Sequence, residues 1–205
     1  VKRFDMNTNF LNSVTNFLKK RTIELLGLIL ILASILLAIA FSTYSPEDPS
    51  FIYGDKNFNI ENFFGIYGSS IADFLLQSFG LASFLIALNF LFWGLNLMIK
   101  KKIKRIILKL FLVMSYLILS TVFIYLTFNN SFWLIDNGNS GFVGELTYSF
   151  LKTWTPLIDN TYVIYGFLFL ALIFFSISAE INYKSLFLVI VSFFRKKEII
   201  SNQTN

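Results

Sequence analysis

The chain has 205 residues, 56% of them hydrophobic and only 14% charged, with a formal net charge of +5 and neither Cys nor His. Soluble domains carry about 25% charged residues, so this much apolar surface needs lipid as its solvent. Without Cys and His, disulfides, thiolate nucleophiles, imidazole bases and almost every zinc or transition-metal site are excluded, and no carboxylate cluster has the spacing for magnesium or calcium.

Residues 1–21 read as a cytoplasmic amphipathic segment. Phe10, Leu11, Val14, Phe17 and Leu18 fall at helical spacing, polar residues lie opposite, and Lys19-Lys20-Arg21 ends the stretch. This pattern fits a helix lying on the inner leaflet, and equally a frayed tail with snorkelling lysines. A four-helix transmembrane domain is expected over residues 22–180. Crossing the bilayer takes roughly 20 apolar residues. The spans are placed at about 23–41, 71–99 (81–99 in its uninterrupted part), 106–128 with Lys109 one turn inside, and 161–178 closed by Glu180. Each is apolar all round, as lipid-facing helices require. The expected fold is therefore all-α, an integral membrane bundle with interfacial helices at both ends. Residues 181–205 supply the second of these, with Leu186, Phe187, Ile190, Phe193 and Phe194 ahead of Arg195-Lys196-Lys197, and then the start of a cytoplasmic linker at Ser201–Asn205. Ala38-Ile39-Ala40 has the form of a signal-peptidase site, but the long apolar run and long leading segment favour an uncleaved helix.

Lysine and arginine give direction. They gather before the first span (Lys19, Lys20, Arg21), in the short link at Lys100-Lys101-Lys102 and Lys104-Arg105, and after the fourth (Lys184, Arg195, Lys196, Lys197). The two long connections hold only Lys56 and Lys152 among several acids. Positive loops stay in the cytoplasm, so both ends are expected inside.

After the first span comes Tyr44-Ser45-Pro46-Glu47-Asp48-Pro49-Ser50-Phe51. Pro46 and Pro49 push the residues before them out of helical geometry, while Ser45, Asp48 and Ser50 can bond freed amides locally. The segment reads as a helix stop and rigid corner, with a docking epitope as the second reading. Tyr44, Tyr53, Trp133, Trp154 and Tyr162 are expected at headgroup level. Asp73 is placed one turn into the second helix, where the dipole favours an anion, with Gln77 one turn deeper on the same side. Asn89, and Asn96 on the same face, are expected to hydrogen-bond between helices or subunits. Gly65-Ile66-Tyr67-Gly68 and Gly141-Phe142-Val143-Gly144 each precede an even-numbered span, with Phe74-Leu75 and Phe150-Leu151 following at the same offset. This suggests a parallel repeat of two hairpins in which paired glycines allow close backbone approach.

These residues resemble the N-terminal four-helix transmembrane domain of FtsK/SpoIIIE-type DNA translocases, from Lys20 to Phe194. The resemblance is carried by the Ser45-Pro46-Glu47-Asp48-Pro49 segment, by Gly65, Gly68, Ile71-Ala72-Asp73 and Phe79-Gly80, and by Gly141 and Gly144. Ser140 stands where a further glycine is common. The resemblance implies a membrane anchor and septum-targeting module for cell division and chromosome partition, in the bacterial inner membrane at the division septum. It implies septal membrane proteins and a homo-oligomer, by likeness a hexamer, as partners alongside the lipid bilayer. ATP, magnesium and DNA belong, in this reading, to a motor outside these residues. No G-x-x-x-x-G-K-[ST] loop occurs here, so no catalytic, cofactor-binding or metal residue and no nucleic-acid contact is expected. The candidate structural or interaction positions are Ser45, Pro46, Asp48, Pro49, Gly65, Gly68, Asp73, Gly80, Asn89, Gly141 and Gly144. The alternative function is a small transporter, or a subunit of one, for an uncharged solute, since no ionisable residue falls at mid-span.

Overall fold

The computed structural model describes residues 2–50, 60–102, 104–130, 133–134, 136–181 and 183, with side chains from residue 10 onward. The expected linker at 201–205, and the interfacial stretch 182–197 apart from Tyr183, lie outside the described residues. Regular structure among the described residues is helical: α1 (Lys2–Ser42), α2 (Gly65–Phe79), α3 (Ser83–Lys100), α4 (Ile106–Phe128), α5 (Gly141–Trp154) and α6 (Thr161–Ala179). Short 3-10 turns at Gly80–Ala82 and Pro156–Asp159 precede α3 and α6. Four stretches are long and apolar enough to cross a membrane, at Phe10–Ser42, Gly65–Lys100, Ile106–Phe128 and Thr161–Ala179. Their outward faces are lined with exposed Leu, Ile and Phe, such as Leu28, Leu32, Ile107, Phe111 and Phe169, as lipid contact requires. The protein is a multi-pass membrane protein.

α1 has 41 residues, so it is roughly 60 Å long against about 30 Å of hydrocarbon. It runs through Lys19-Lys20-Arg21 without a break, one helix from the amphipathic segment into the first span. Phe10, Leu11, Phe17 and Leu18 are all exposed along it.

The second span differs from the expectation. It is two helices rather than one continuous run over 71–99, and the first of them starts earlier, at Gly65. Gly80, at φ 56 and ψ −140, adopts a backbone conformation that L residues avoid, and this bends the chain out of α2 before α3 begins. The second long connection likewise contains a helix, α5, where only a loop is expected. The two halves thus share one build: a span, a loop, a short helix opened by a glycine, a 3-10 turn and a second span.

Two cores hold the helices, each built mainly from one half and completed by residues of the other. α1 lies against α3, with Ala40, Phe41, Tyr44, Ala72, Leu76, Ala87 and Leu134 buried together. α4 lies against α6 around Ala82, Tyr116, Leu117, Ile124 and Ala171. Small residues set the α1–α3 distance. A Cβ on Gly27 would sit 2.8 Å from the Gly94 carbonyl oxygen, and one turn-pair further on Ser34 donates to the Ala87 carbonyl at 2.7 Å. Bringing backbones this close adds dispersion contact that lipid cannot supply.

Candidate interaction site

The described loop residues, α2 and α5 meet at the end of the bundle opposite the lysine clusters. There α1 stops at Ser42, and the chain turns so that the Asp48 amide donates to the Ser45 carbonyl at 3.2 Å. Pro46 stands exposed on this turn and Pro49 is buried, its carbonyl accepting the Ser69 hydroxyl at 2.7 Å. The Asp48 carboxylate reaches well beyond its own turn, farther than the motif alone suggests. Its two oxygens accept the amides of Glu61 and Asn62 at 2.8 and 2.9 Å, thirteen and fourteen residues on. The returning loop offers two free N–H groups side by side, and a carboxylate binds such a pair more strongly than a single local amide.

Asn62 completes the clamp. Its buried side-chain amide donates to the Ala40 carbonyl at 2.9 Å and the Thr43 carbonyl at 3.3 Å, and its Oδ1 accepts the Phe64 amide at 3.1 Å. The last carbonyls of a helix have no partner within it, so Asn62 finishes α1 from outside. Gly68 makes the room: a Cβ there would fall onto the Asn62 Oδ1. Gly65, at φ 61, opens α2 in the left-handed region.

Asp73 lies two turns inside α2, not in a first turn, so the helix dipole does not account for it. It accepts the Tyr44 hydroxyl at 3.0 Å. That hydroxyl accepts in turn from Gln77 Nε2 at 3.1 Å, and Gln77 Oε1 accepts from Asn137 Nδ2 at 2.6 Å. The Gln77 amide also reaches Asp136 at 3.5 Å. The Trp133 indole donates to the Tyr44 carbonyl at 3.0 Å, and the two rings meet edge to face at 5.7 Å. Tyr44 is therefore buried and Trp133 half-buried, where headgroup positions are expected, while Trp154 and Tyr162 are exposed. Burial pushes the Tyr44 phenol well above its usual range, so it remains a proton donor at neutral pH. Above this network opens a cleft of about 770 Å³ walled by Pro46, Asp48, Asp73, Gln77, Asp136 and Phe142. Among the described residues three carboxylates and no cation line it. Lys152, at the same end, is held by Asp159 at 3.2 Å and by the Tyr148 hydroxyl at 2.6 Å.

The second half repeats the device. Gly141, at φ 64, opens α5, and a Cβ on Gly144 would sit 2.9 Å from the Thr121 carbonyl oxygen. Asn139 donates to the Phe128 and Asn130 carbonyls at 2.8 and 3.0 Å, finishing α4 as Asn62 finishes α1. The halves touch backbone to backbone at Gly80 and Gly141. The Leu81 amide donates to the Asn139 carbonyl at 2.8 Å, and a Cβ on Gly141 would lie 2.6 Å from the Gly80 nitrogen. The sequence reading missed Asn62 and Asn139. Their signal was an Asn two or three residues ahead of each Gly-x-x-Gly.

Asn89 stands apart from the cleft. With Trp93 and Asn96 it forms one face of α3 that binds the end of α6. Asn89 Nδ2 donates to the Ser178 hydroxyl at 3.1 Å, Trp93 Nε1 to the Ser178 carbonyl at 2.8 Å and Asn96 Nδ2 to the Ala179 carbonyl at 2.9 Å. At this basic end Glu180 pairs with Lys100 and Lys109, and Glu24 with Arg21 and Lys101. Among the described residues no three His, Cys, Asp or Glu side chains gather as a metal site.

A family model for the 4TM region of DNA translocase FtsK/SpoIIIE matches residues 19–192. Relatives include the DNA translocase FtsK of Rickettsia bellii (strain RML369-C), 31% identical over 144 residues that make up 70% of this chain and 18% of that protein. The DNA translocase FtsK of Azospirillum brasilense is 33% identical over 43% of this chain and 14% of its own length. That of Rhizobium meliloti (strain 1021) is 29% identical over 69% of this chain and 16% of its own length. The matched part of this chain thus spans less than a fifth of each of these relatives. No solved structure matches it. A match over most of the chain, falling on a protein with four membrane spans, places it: the chain belongs to the family of the 4TM region of FtsK/SpoIIIE DNA translocases.

Proposed function

We propose that this domain anchors a DNA translocase in the bacterial inner membrane at the division septum, serving cell division and chromosome segregation. The family match over residues 19–192 is the observation that carries this reading. ATP hydrolysis, magnesium binding and DNA translocation are assigned to the remaining length of such proteins, and none of them to these residues. The domain itself acts as anchor and interaction module, in a homo-oligomer that by family likeness is a hexamer.

The basic end faces the cytoplasm in this reading. Lys19, Lys20, Arg21, Lys100, Lys101, Lys102, Lys104 and Arg105 lie at the one end, and translocating so many cations is costly. The acidic cleft then faces outward, where its carboxylates and apolar rim suit septal membrane proteins. A fluorescent protein fused after Asn205 and imaged in dividing cells tests both points. A bright band at the septum supports the reading. Uniform membrane labelling removes the septal role, and loss of fluorescence with intact fusion protein in the membrane reverses the topology.

A further inference from the structure

A second cavity lies at the basic end, between the middle of α1, the end of α3 and the start of α4, with a volume of about 270 Å³. It is lined by Leu26, Ile29 and Leu30 from α1, by Leu97 from α3, and by Lys100, Lys102, Lys104 and Lys109, whose alkyl stems extend an apolar wall. One carboxylate, Glu180, lines it against these four cations. Glu180 is already shared by Lys100 and Lys109. Lys102 and Lys104 have no acidic partner among the described residues, and both are exposed.

We propose that this cavity is a binding site for an anionic phospholipid, its phosphate at Lys102 and Lys104 and an acyl chain along Leu26, Ile29 and Leu30. The two parts of the cavity argue for one occupant. A soluble anion would satisfy the lysines but leave the apolar walls wet, while a zwitterionic lipid would fill the groove but bring its own cation to the lysines. An anionic lipid matches both, and basic pockets between membrane helices bind such headgroups for this reason. The position fits the supply, because the Ile29 side chain is half exposed on a helix face that already meets lipid. The consequence is a lipid-dependent contact between α1 and α4, which are not among the helix pairs that pack extensively on one another. This inference goes beyond the septal reading and does not depend on it.

Native mass spectrometry of the whole chain tests it, after equilibration with vesicles of equal phosphatidylglycerol and phosphatidylethanolamine. Wild type is expected to retain phosphatidylglycerol in preference. Lys104→Gln should lower that preference roughly fivefold, the worth of one lysine near an anionic surface. Lys20→Gln makes the same change of net charge at the same end, outside the cavity, and should leave the preference unchanged. Leu30→Trp fills the groove without altering charge and should also lower retention, with helicity by circular dichroism checking the fold. Inorganic phosphate should not displace the lipid. Equal retention of both lipids, equal effects of Lys104→Gln and Lys20→Gln, full retention in well-folded Leu30→Trp, or displacement by phosphate would each overturn the proposal.

Discussion

The Tyr44 hydroxyl donates to Asp73 at 3.0 Å, tying the turn that ends α1 to the middle of α2. Tyr44 is 6% exposed, and the Gln77 amide already occupies one lone pair of the same hydroxyl. Tyr44→Phe removes both bonds while keeping the ring against Phe41 and Leu76. It is expected to cost about 1 kcal/mol in unfolding experiments in detergent micelles. Asp73→Ala leaves the buried hydroxyl proton with no acceptor and should cost about 1–3 kcal/mol. Asp73→Asn keeps a carbonyl acceptor and should cost less than Asp73→Ala. The Asn variant therefore separates the charge of Asp73 from its structural part. If septal fluorescence is lost in Asp73→Asn at unchanged stability, the carboxylate itself meets the partner.

Asn62 and Asn139 finish the two long spans that precede them, and the two sites differ in depth. Asn62 is buried and reaches two carbonyls, while Asn139 is half-buried with its two acceptors nearer water. Asn62→Ala strands buried acceptors and should cost about 1–3 kcal/mol. Asn139→Ala should cost less, since water can replace the lost donor. Urea-dependent unfolding of the two variants in the same micelle ranks them, and an Asn139→Ala loss equal to or above that of Asn62→Ala would sink this account.

The spans were legible in the sequence because lipid imposes a composition on them that nothing else produces. Length and hydropathy alone therefore found four stretches. What the sequence concealed lies where the chain leaves that solvent. The helix α5 mixes Glu145, Lys152 and Thr153 with exposed Phe and Leu, so its apolar run is too short to register as a span. The break at Gly80 falls inside an apolar stretch, and that glycine's purpose lies in its positive φ and in the Asn139 carbonyl and Gly141 amide that press on it from the other half. Asp48 stands out in its motif, but the partners it holds are distant in sequence. Local turn chemistry could name the residue and not what it holds.

Gly27 and Gly94 are silent in the sequence for a related reason: one glycine in each of two spans has no meaning until the helices are paired. A methyl group on Gly94 would lie 2.6 Å from both the Gly27 carbonyl oxygen and Ile31 Cγ1. Gly94→Ala must therefore push α1 and α3 apart, and overpacking of this kind typically costs about 1–3 kcal/mol. Gly166, on α6, has open space where its Cβ would be. Gly166→Ala should lie within about 0.5 kcal/mol of wild type or slightly above it, because alanine favours the helix. The comparison uses one chemical change in two places, so equal stabilities would refute close packing at the α1–α3 crossing.

Glu180 gives the fold a dependence on pH with a defined sign. Burial, its largest single influence, pushes the carboxyl up, but hydrogen bonds and charge from Lys100 and Lys109 together hold it below the ordinary glutamate value. A carboxylate whose folded value is depressed contributes stability above its unfolded value and loses it as pH falls through the folded one. Unfolding midpoints of the wild type should therefore decline as pH drops below about 4–5, the ordinary range for glutamate. Asp159 is held low as well, by the Tyr148 hydroxyl and Lys152, so the decline alone does not identify Glu180. The difference between wild type and Glu180→Gln does. Glutamine keeps an acceptor for Lys109, whose side chain is only 17% exposed, but cannot titrate. The gap between the two proteins should be largest at neutral pH and close as the solution is acidified. A gap that stays constant across that range would mean that the lysines bind Glu180 no more tightly in its charged form than in its neutral one.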